Sequence, residues 1–276
     1  MLKTYLSLPT KNNNKAKILH ITDTHLFADD SNSLLGIRTN ASFNAVIDEI
    51  KQYPCDFDLI VATGDLVQDG SKNGYHRFAN SINQFLTPCV WLLGNHDVYA
   101  NMKTVFEQQK LPEKKVVLLG DKWLIILLNS QVEGKAFGTL SQTELSFLSL
   151  TLEEYPDRFA MIFLHHHPVM SNCRWLDQHC LKNSEEFGSL VKQHESIKSI
   201  AWGHIHQSFE KIWHHCRVFS TPSTCIQFKP LSDNFSLSYD APGWRIIELN
   251  TDGEMDTKVY SLNENIFMPD TSQNGY

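Results

Sequence analysis

The sequence predicts a layered α/β fold, because short apolar runs alternate with segments of helical periodicity. The runs at 16–25, 57–65, 89–97, 159–167 and 197–206 are continuous rather than alternating in hydrophobicity, and each ends in a polar motif. Continuous apolar runs of this length indicate strands that are buried on both faces. Strands that alternate with helices are typical of layered α/β architectures.

Three segments between or beside these runs have the pattern of helices that pack on a core. Apolar residues recur at helical spacing over 43–50 and again over 75–86, ending at Phe85 and Leu86. Ser141 and Glu144 form a capping-box pattern just ahead of an apolar series that starts at Leu145. We interpret all three apolar stripes as core packing.

The pattern changes to short strands from about 212 to 262. An Asp-Gly pair at 252–253 marks a hairpin turn within this region. We expect these strands to form the antiparallel part of a second sheet. Internal repeats and long linkers are absent from the sequence, so we expect one domain over 1–276, with its core motifs at 16–206.

Composition and charge narrow the class of protein. The formal net charge is −7, which argues against a nucleic-acid partner because phosphate-backbone binding needs clustered Lys and Arg. Apolar runs stay well below the roughly 18 residues that span a bilayer, and the apolar start is too short for a signal peptide. The six cysteines form no C-x-x-C pair. We therefore expect reduced thiols, a cytoplasmic location and no obligate protein partner.

Metal-ligand residues stand at the ends of all five apolar runs. They are Asp23 and His25 in T-D-T-H, Asp65 in G-D, Asn95 with His96 in G-N-H-D, the triplet His165–His167, and His204 with His206 in G-H-I-H. Residues two apart in an extended segment share a face, and ligands of open α/β sheets bind beyond the carboxyl ends of strands. The five motifs are therefore expected to meet in one crevice.

The ligand types indicate two metal ions. Carboxylate, imidazole and amide oxygen suit iron, manganese or zinc. Seven ligands are too many for one ion with open positions, but they suit two ions about 3.5–4 Å apart that share a bridging carboxylate.

The sequence leaves open which histidine of the triplet binds a metal. The apolar run ends at Leu164, which favours His165 as the ligand, with His166 second and His167 last. Alternation along an extended segment would turn His165 and His167 one way and His166 the other. Alignment on the H-H-P of related enzymes would favour His166 instead.

The order D-x-H, G-D, G-N-H-D, His, G-H-x-H resembles the calcineurin-like metallophosphoesterases. That resemblance implies a four-layer αββα sandwich with two mixed sheets. It implies that Asp23, His25, Asp65 and His206 hold one metal and that Asp65 bridges to the second. Asn95, the strand-end histidine (His165 by the preceding argument) and His204 would complete the second site. His96 would stand beside the phosphorus.

A narrower resemblance links the chain to the bacterial class III 3′,5′-cyclic-AMP phosphodiesterases. It rests on the segments ITDTHLF, GHIHQ, TPSTCIQFKP, APGWR and CRWLDQHC. It implies hydrolysis of cyclic AMP to 5′-AMP by attack of a metal-bound hydroxide on phosphorus, with iron or manganese as the metals and zinc as an alternative. His25, Asp65, Asn95, His96 and His206 would contact the substrate.

Within this mechanism, His96 is the expected hydrogen-bond or proton donor to the departing 3′-oxygen. Asp97 either orients His96 or serves only as a turn residue. Adenine contacts are proposed for four residues, which are Arg174, Trp175, Trp244 and Arg245.

Two other functions fit the same motifs. The first is an enzyme of this fold with a 2′,3′-cyclic nucleotide, a glycerophosphodiester or a phosphomonoester as substrate. The second is a non-catalytic scaffold, which would have no reason to keep all seven ligands and His96.

Overall fold

The computed structural model describes residues 5–12, 15–53, 56–263, 266–273 and 275. The strands are β1 (Tyr5–Leu8), β2 (Lys15–Ile21), β3 (Ser33–Leu34), β4 (Ile37–Arg38), β5 (Leu59–Ala62), β6 (Cys89–Trp91), β7 (Val116–Leu119), β8 (Trp123–Leu127), β9 (Phe159–Phe163), β10 (Ile197–Trp202), β11 (Glu210–Trp213), β12 (Cys216–Ser220), β13 (Gln227–Phe228), β14 (Leu237–Ser238), β15 (Gly243–Asn250) and β16 (Met255–Ser261). The α-helices are α1 (Thr39–Gln52), α2 (Lys72–Ile82), α3 (Tyr99–Gln108), α4 (Gln142–Glu154) and α5 (Ser184–Gln193).

Two mixed sheets form the centre of the fold. The seven-stranded sheet has the order β1-β7-β8-β9-β10-β12-β11, and the five-stranded sheet has the order β16-β15-β2-β5-β6. β2, β5 and β6 are parallel to one another, as are β8, β9, β10 and β12. Their carboxyl ends therefore meet along one edge of each sheet, which is where ligands of such folds bind.

Three apolar clusters separate four layers. One lies between the sheets and includes Val61, Ile125 and Phe163. A second packs α1, α2 and α3 on the outer face of the five-stranded sheet, and a third packs α4 and α5 on the seven-stranded sheet. The αββα sandwich expected from the sequence is therefore confirmed.

The predicted helices form, but one apolar stripe ends early. Phe43 and Tyr75 are buried, and the Ser141 hydroxyl accepts a hydrogen bond from the Glu144 N–H at the start of α4. α2 ends at Ile82, however, and Leu86 is 93% exposed with a positive φ of 52°. The expectation that Leu86 packs in the core is wrong, because the chain turns away from the helix before reaching it.

The C-terminal strands do not form one antiparallel unit. β12 runs parallel to β10 in the seven-stranded sheet, and β11 pairs with it. β13 and β14 form a separate ribbon, whereas β15 and β16 complete the five-stranded sheet. The tail therefore contributes to both sheets, which apolar patterning alone does not distinguish. Within the described ranges, none of the helices has the length and apolar character required to cross a membrane.

Candidate metal centre

All five motifs lie just beyond the carboxyl ends of their strands. Three come from the five-stranded sheet, after β2, β5 and β6, and two come from the seven-stranded sheet, after β9 and β10. The six expected Asp and His ligands are at most 7% exposed, and Asn95 is half-buried. The fold therefore brings together the seven residues that were expected to bind metal.

The backbone at these motifs is not extended, contrary to the expectation for D-x-H and G-H-x-H. Five of the residues have left-handed φ angles between 44° and 64°: Asp23, His25, Asp65, His204 and His206. Such angles are uncommon outside glycine and cluster at functional sites. The side chains of each pair converge because the chain turns sharply after the strand.

One group of ligand atoms gathers around Asp23. Its Oδ1 lies 3.2 Å from His206 Nε2, and His206 Nε2 lies 3.2 Å from His25 Nε2. His25 Nε2 is also 4.0 Å from Asp65 Oδ2. These four residues are those that the resemblance assigns to the first metal.

A second group gathers around His165. Its Nε2 lies 3.2 Å from both Asp65 Oδ2 and Asn95 Oδ1. The His204 ring borders the His165 ring, with centroids 5.0 Å apart. Asp65 Oδ2 thus faces both groups, which is the position a bridging carboxylate requires.

The proton positions show that these atoms suit a cation. The Nδ1 atoms of His25, His165 and His206 lie 2.6–3.0 Å from the carbonyl oxygens of Gln68, Thr63 and Ile226. A carbonyl oxygen only accepts, so Nδ1 carries the proton and, in a neutral ring, Nε2 presents a lone pair. His204 Nε2 is buried and has no hydrogen-bond partner within the described residues. Ring nitrogens whose Nδ1 protons point away, together with carboxylate oxygens, form a set of donor atoms that fits metal ions.

The electrostatics of the site agree with this interpretation. Burial alone would raise the pKa of Asp65, but the imidazoles of His165 and His96 hold that pKa well below its usual range. Burial would lower the pKa of His165, but the charge of Asp65 raises it to about 9. The added proton would occupy Nε2, where a metal ion would replace it.

The three histidines of the triplet have different partners. Only His165 contacts Asp65 and Asn95. His166 Nδ1 lies 2.8 Å from Ser130 Oγ, and His167 Nε2 lies 3.3 Å from Asp177 Oδ1. All three rings border His204, so the expected alternation is wrong, because β9 already ends at Phe163.

His96 lies at the solvent side of the site. Its backbone N–H donates to Asp65 Oδ1 at 2.8 Å, and its ring meets the His25 ring edge-on with centroids 5.1 Å apart. His96 and Asn95 are half-buried, whereas the other ligands are buried. The site therefore opens toward solvent on the side of the Gly94–Asp97 loop.

Asp97 holds loops together. Its carboxylate accepts hydrogen bonds from the N–H groups of Leu66, Val67 and Gly94 at 2.9–3.4 Å and from the Tyr75 hydroxyl at 3.1 Å. These partners join the loop after β5 to the loop after β6. Asp97 is therefore a positioning residue for both loops, which favours the turn-residue alternative, and a role in orienting the His96 imidazole stays a prediction.

Two of the proposed adenine contacts are wrong. Trp244 is 1% exposed and stacks on Tyr260, and Arg245 is 2% exposed and donates to Ser220 O and Thr257 Oγ1. Both lie on β15 in the interior, so neither can meet a substrate. Trp175 is half-buried and packs on Phe228 and Phe235, whereas Arg174 is exposed. Adenine contact by these two residues stays a prediction.

The segment TPSTCIQFKP supports ligands from behind. The Ser223 hydroxyl donates to Asp23 O at 2.7 Å, and Ile226 O accepts from His206 Nδ1. The Phe228 ring stacks on His206 with centroids 4.4 Å apart. This segment therefore fixes two ligands of the first group.

Sequence patterns did not reveal a buried histidine beneath the site. His20 is fully buried, and its ring nitrogens lie 2.8 Å from Thr63 Oγ1 and 2.6 Å from Thr221 Oγ1. Burial lowers the pKa of His20 to about 3, so the ring is neutral. It joins the two sheets directly below the ligands, but its position within an apolar run gives no signal of this role.

The family of the chain follows from a comparison with known proteins. Residues 16–208 match the calcineurin-like phosphoesterase family, and this range includes all five motifs. The chain belongs to that family.

Particular relatives extend the similarity to the whole chain. It is 44% identical over 275 residues to the 3′,5′-cyclic adenosine monophosphate phosphodiesterase CpdA of Escherichia coli, with 100% of both chains covered. It is 45% identical over 260 residues to the protein of the same name from Haemophilus influenzae, with 94% of this chain and 95% of that protein covered. Among solved structures, a dimetal phosphatase from Danio rerio has a TM-score of 0.59 at 15% identity, covering 91% of this chain and 100% of that one. That likeness supports the fold.

Proposed function

We propose that this protein is a dinuclear-metal phosphodiesterase that hydrolyses 3′,5′-cyclic AMP to 5′-AMP. The observation that carries the proposal is the convergence of the seven expected ligand side chains, among which Asp65 Oδ2 faces both His25 and His165. The choice of cyclic AMP rests on the relatives named for that activity, which match at 42–45% identity over 94% or more of the chain.

The ligands divide into two sets that share one residue. Asp23, His25, Asp65 and His206 would hold the first metal, and Asp65, Asn95, His165 and His204 would hold the second. Iron or manganese fits these nitrogen and oxygen donors, and zinc is an alternative. The bound ions would supply Lewis-acid activation of water and neutralise negative charge on the phosphoryl oxygens.

The residues at the opening carry the remaining chemistry. The cyclic phosphate would enter beside Asn95 and His96, since these are the two half-buried members of the site. His25, Asp65 and His206 would border it from inside. His96 would hold a proton toward the departing 3′-oxygen, and its backbone bond to Asp65 Oδ1 keeps it in place.

We also propose that residues 1–276 act as one domain. β15 and β16 from the tail pair with β2 from the start of the motif region, and β12 pairs with β10. The cytoplasmic location and the lack of an obligate partner stay predictions.

Product analysis tests the proposed reaction. The manganese-loaded protein would be offered cyclic AMP, 2′,3′-cyclic AMP and an aryl phosphodiester in parallel. We expect 5′-AMP from cyclic AMP as the main reaction, without 3′-AMP, because His96 would protonate the 3′-oxygen. Absence of cyclic AMP turnover together with turnover of another ester would contradict the substrate and leave the phosphoesterase class intact.

A further inference from the structure

A dipeptide outside the recognised motifs joins the two sheets at the second metal group. Ser130 and Gln131 follow β8 of the seven-stranded sheet, whose last residue is Leu127. The Gln131 Nε2 amide donates to Gly94 O at 2.7 Å and to Asp97 O at 2.8 Å. Gly94 and Asp97 follow β6 of the other sheet, so the glutamine ties one sheet to the other.

The two carbonyls that Gln131 binds enclose Asn95 and His96. An amide NH₂ has two donors, and here both are used on one four-residue loop. Within this loop the Asp97 N–H also bonds to Gly94 O at 3.4 Å, which closes a turn. Gln131 therefore restrains the backbone on both sides of a proposed metal ligand and the proposed proton donor.

Ser130 restrains the opposite side of the same group. Its Oγ lies 2.8 Å from His166 Nδ1 and accepts from the His166 N–H at 3.3 Å. His166 is the neighbour of His165 in the chain, so Ser130 restrains the segment that presents His165. Ser130 is fully buried, which makes these bonds hard to replace with water.

The dipeptide is itself held by its neighbours. The Gln131 N–H donates to Asn129 Oδ1 at 3.0 Å, and the Asn129 N–H donates to Glu144 Oε2 at 2.9 Å. Glu144 is in the first turn of α4. Gln131 is thus anchored through Asn129 to the first turn of α4.

We propose that Ser130–Gln131 is a positioning unit that sets the separation of Asn95 and His165, and thereby the affinity of the second metal and the placement of His96. The inference rests on the proposed function for the second metal and for the role of His96. The first group has other supports, since Gln68 Oε1 accepts from His25 Nδ1 at 2.6 Å and Ile226 O accepts from His206. The unit should therefore act on one metal more than on the other.

The test replaces Gln131 with methionine, which keeps the length and removes both donors. In calorimetric titration of the metal-free protein with Mn²⁺ alone, we expect one binding step to weaken about tenfold or more and the other to stay near wild type. The kcat for cyclic AMP should fall about 10–100-fold, with a smaller change in KM. Gln131→Lys, which restores a donor of similar reach, should recover part of both losses.

Two matched glutamines make the test specific. Gln142→Met removes a surface bond to Glu186 and should change neither metal binding nor kcat. Gln68→Met should weaken the other Mn²⁺ step. Urea unfolding of each metal-free variant would show that it is folded.

The outcomes separate the two proposals. If Gln131→Met kept both Mn²⁺ binding steps and the wild-type kcat, the positioning role would be overturned. Turnover of cyclic AMP by the wild-type protein would still uphold the proposed function. A weakened single step in Gln131→Met with no cyclic AMP turnover by wild type would uphold the positioning role and overturn the function. Equal weakening of both steps, or no recovery in a folded Gln131→Lys, would also contradict the positioning role.

Discussion

Asp65→Asn is expected to remove nearly all phosphodiesterase activity and to lower metal content at both sites. The Asp65 carboxylate oxygen Oδ2 lies 4.0 Å from His25 Nε2 and 3.2 Å from His165 Nε2, so its loss is expected to affect both ions. Charge stabilisation by bound metal contributes several kcal/mol to such reactions, and about 4 kcal/mol corresponds to a rate loss of about 10³. Metal content by mass spectrometry and kcat/KM on cyclic AMP would be measured on the same samples.

Asn95→Ala is the matched control for this variant. Asn95 contacts the second group through His165, so its removal should lower the occupancy of one metal and spare the other. Equal metal contents in Asp65→Asn and Asn95→Ala would contradict a bridge at Asp65. Retention of two metals by Asp65→Asn would contradict it more strongly.

His96→Ala is expected to lower kcat for cyclic AMP by about 10²–10⁴ while both metals remain bound. His96 borders His25 at the open side of the site and lies outside both proposed ligand sets. The loss should be much smaller for an aryl phosphodiester, because an aryl oxide leaves readily without a proton. Steady-state kinetics on the two substrates would measure the difference.

A second histidine variant controls for general effects. His76 on α2 is half-buried and contacts Gln109, so His76→Ala should leave kcat near wild type for both substrates. If His96→Ala lost the same factor on both substrates, the role as donor to the leaving oxygen would be wrong. Loss of a metal in His96→Ala would also contradict it.

The metal-ligand residues were predictable because each of them comes directly after an apolar strand in the sequence. An apolar run that ends in D-x-H or G-N-H-D predicts where the strand ends and which ligand side chains follow it. Parallel pairing of β2, β5 and β6 then brings these ends to one edge. The resemblance added the division into two ligand groups, and the distances around Asp65 agree with that division.

The supporting residues were not predictable because they act through contacts between loops. Thr63 serves His165 with a backbone carbonyl, which any residue type could provide. Gln131 binds two carbonyls on a loop more than thirty positions away, and no local pattern marks it. The left-handed backbone at Asp23 and His25 was missed for the same reason, since it results from the packing of several loops.

Burial explains the wrong adenine contacts. Trp244 and Arg245 stand in a strand where polar and aromatic residues read as exposed, yet β15 lies between β2 and β16 with both faces covered. The Arg245 guanidinium lies over the Phe219 ring, 4.7 Å from its centroid, and is buried inside the sandwich. Sequence alone does not show that a strand is covered on both faces when it contains such residues.

Anomalous diffraction from crystals loaded with Mn²⁺ would locate the bound ions themselves. We expect two manganese peaks about 3.5–4 Å apart, with Asp65 next to both. Asp23, His25 and His206 should surround one peak, and Asn95, His165 and His204 should surround the other. A single peak, or a second metal held by His166 in place of His165, would contradict this expectation.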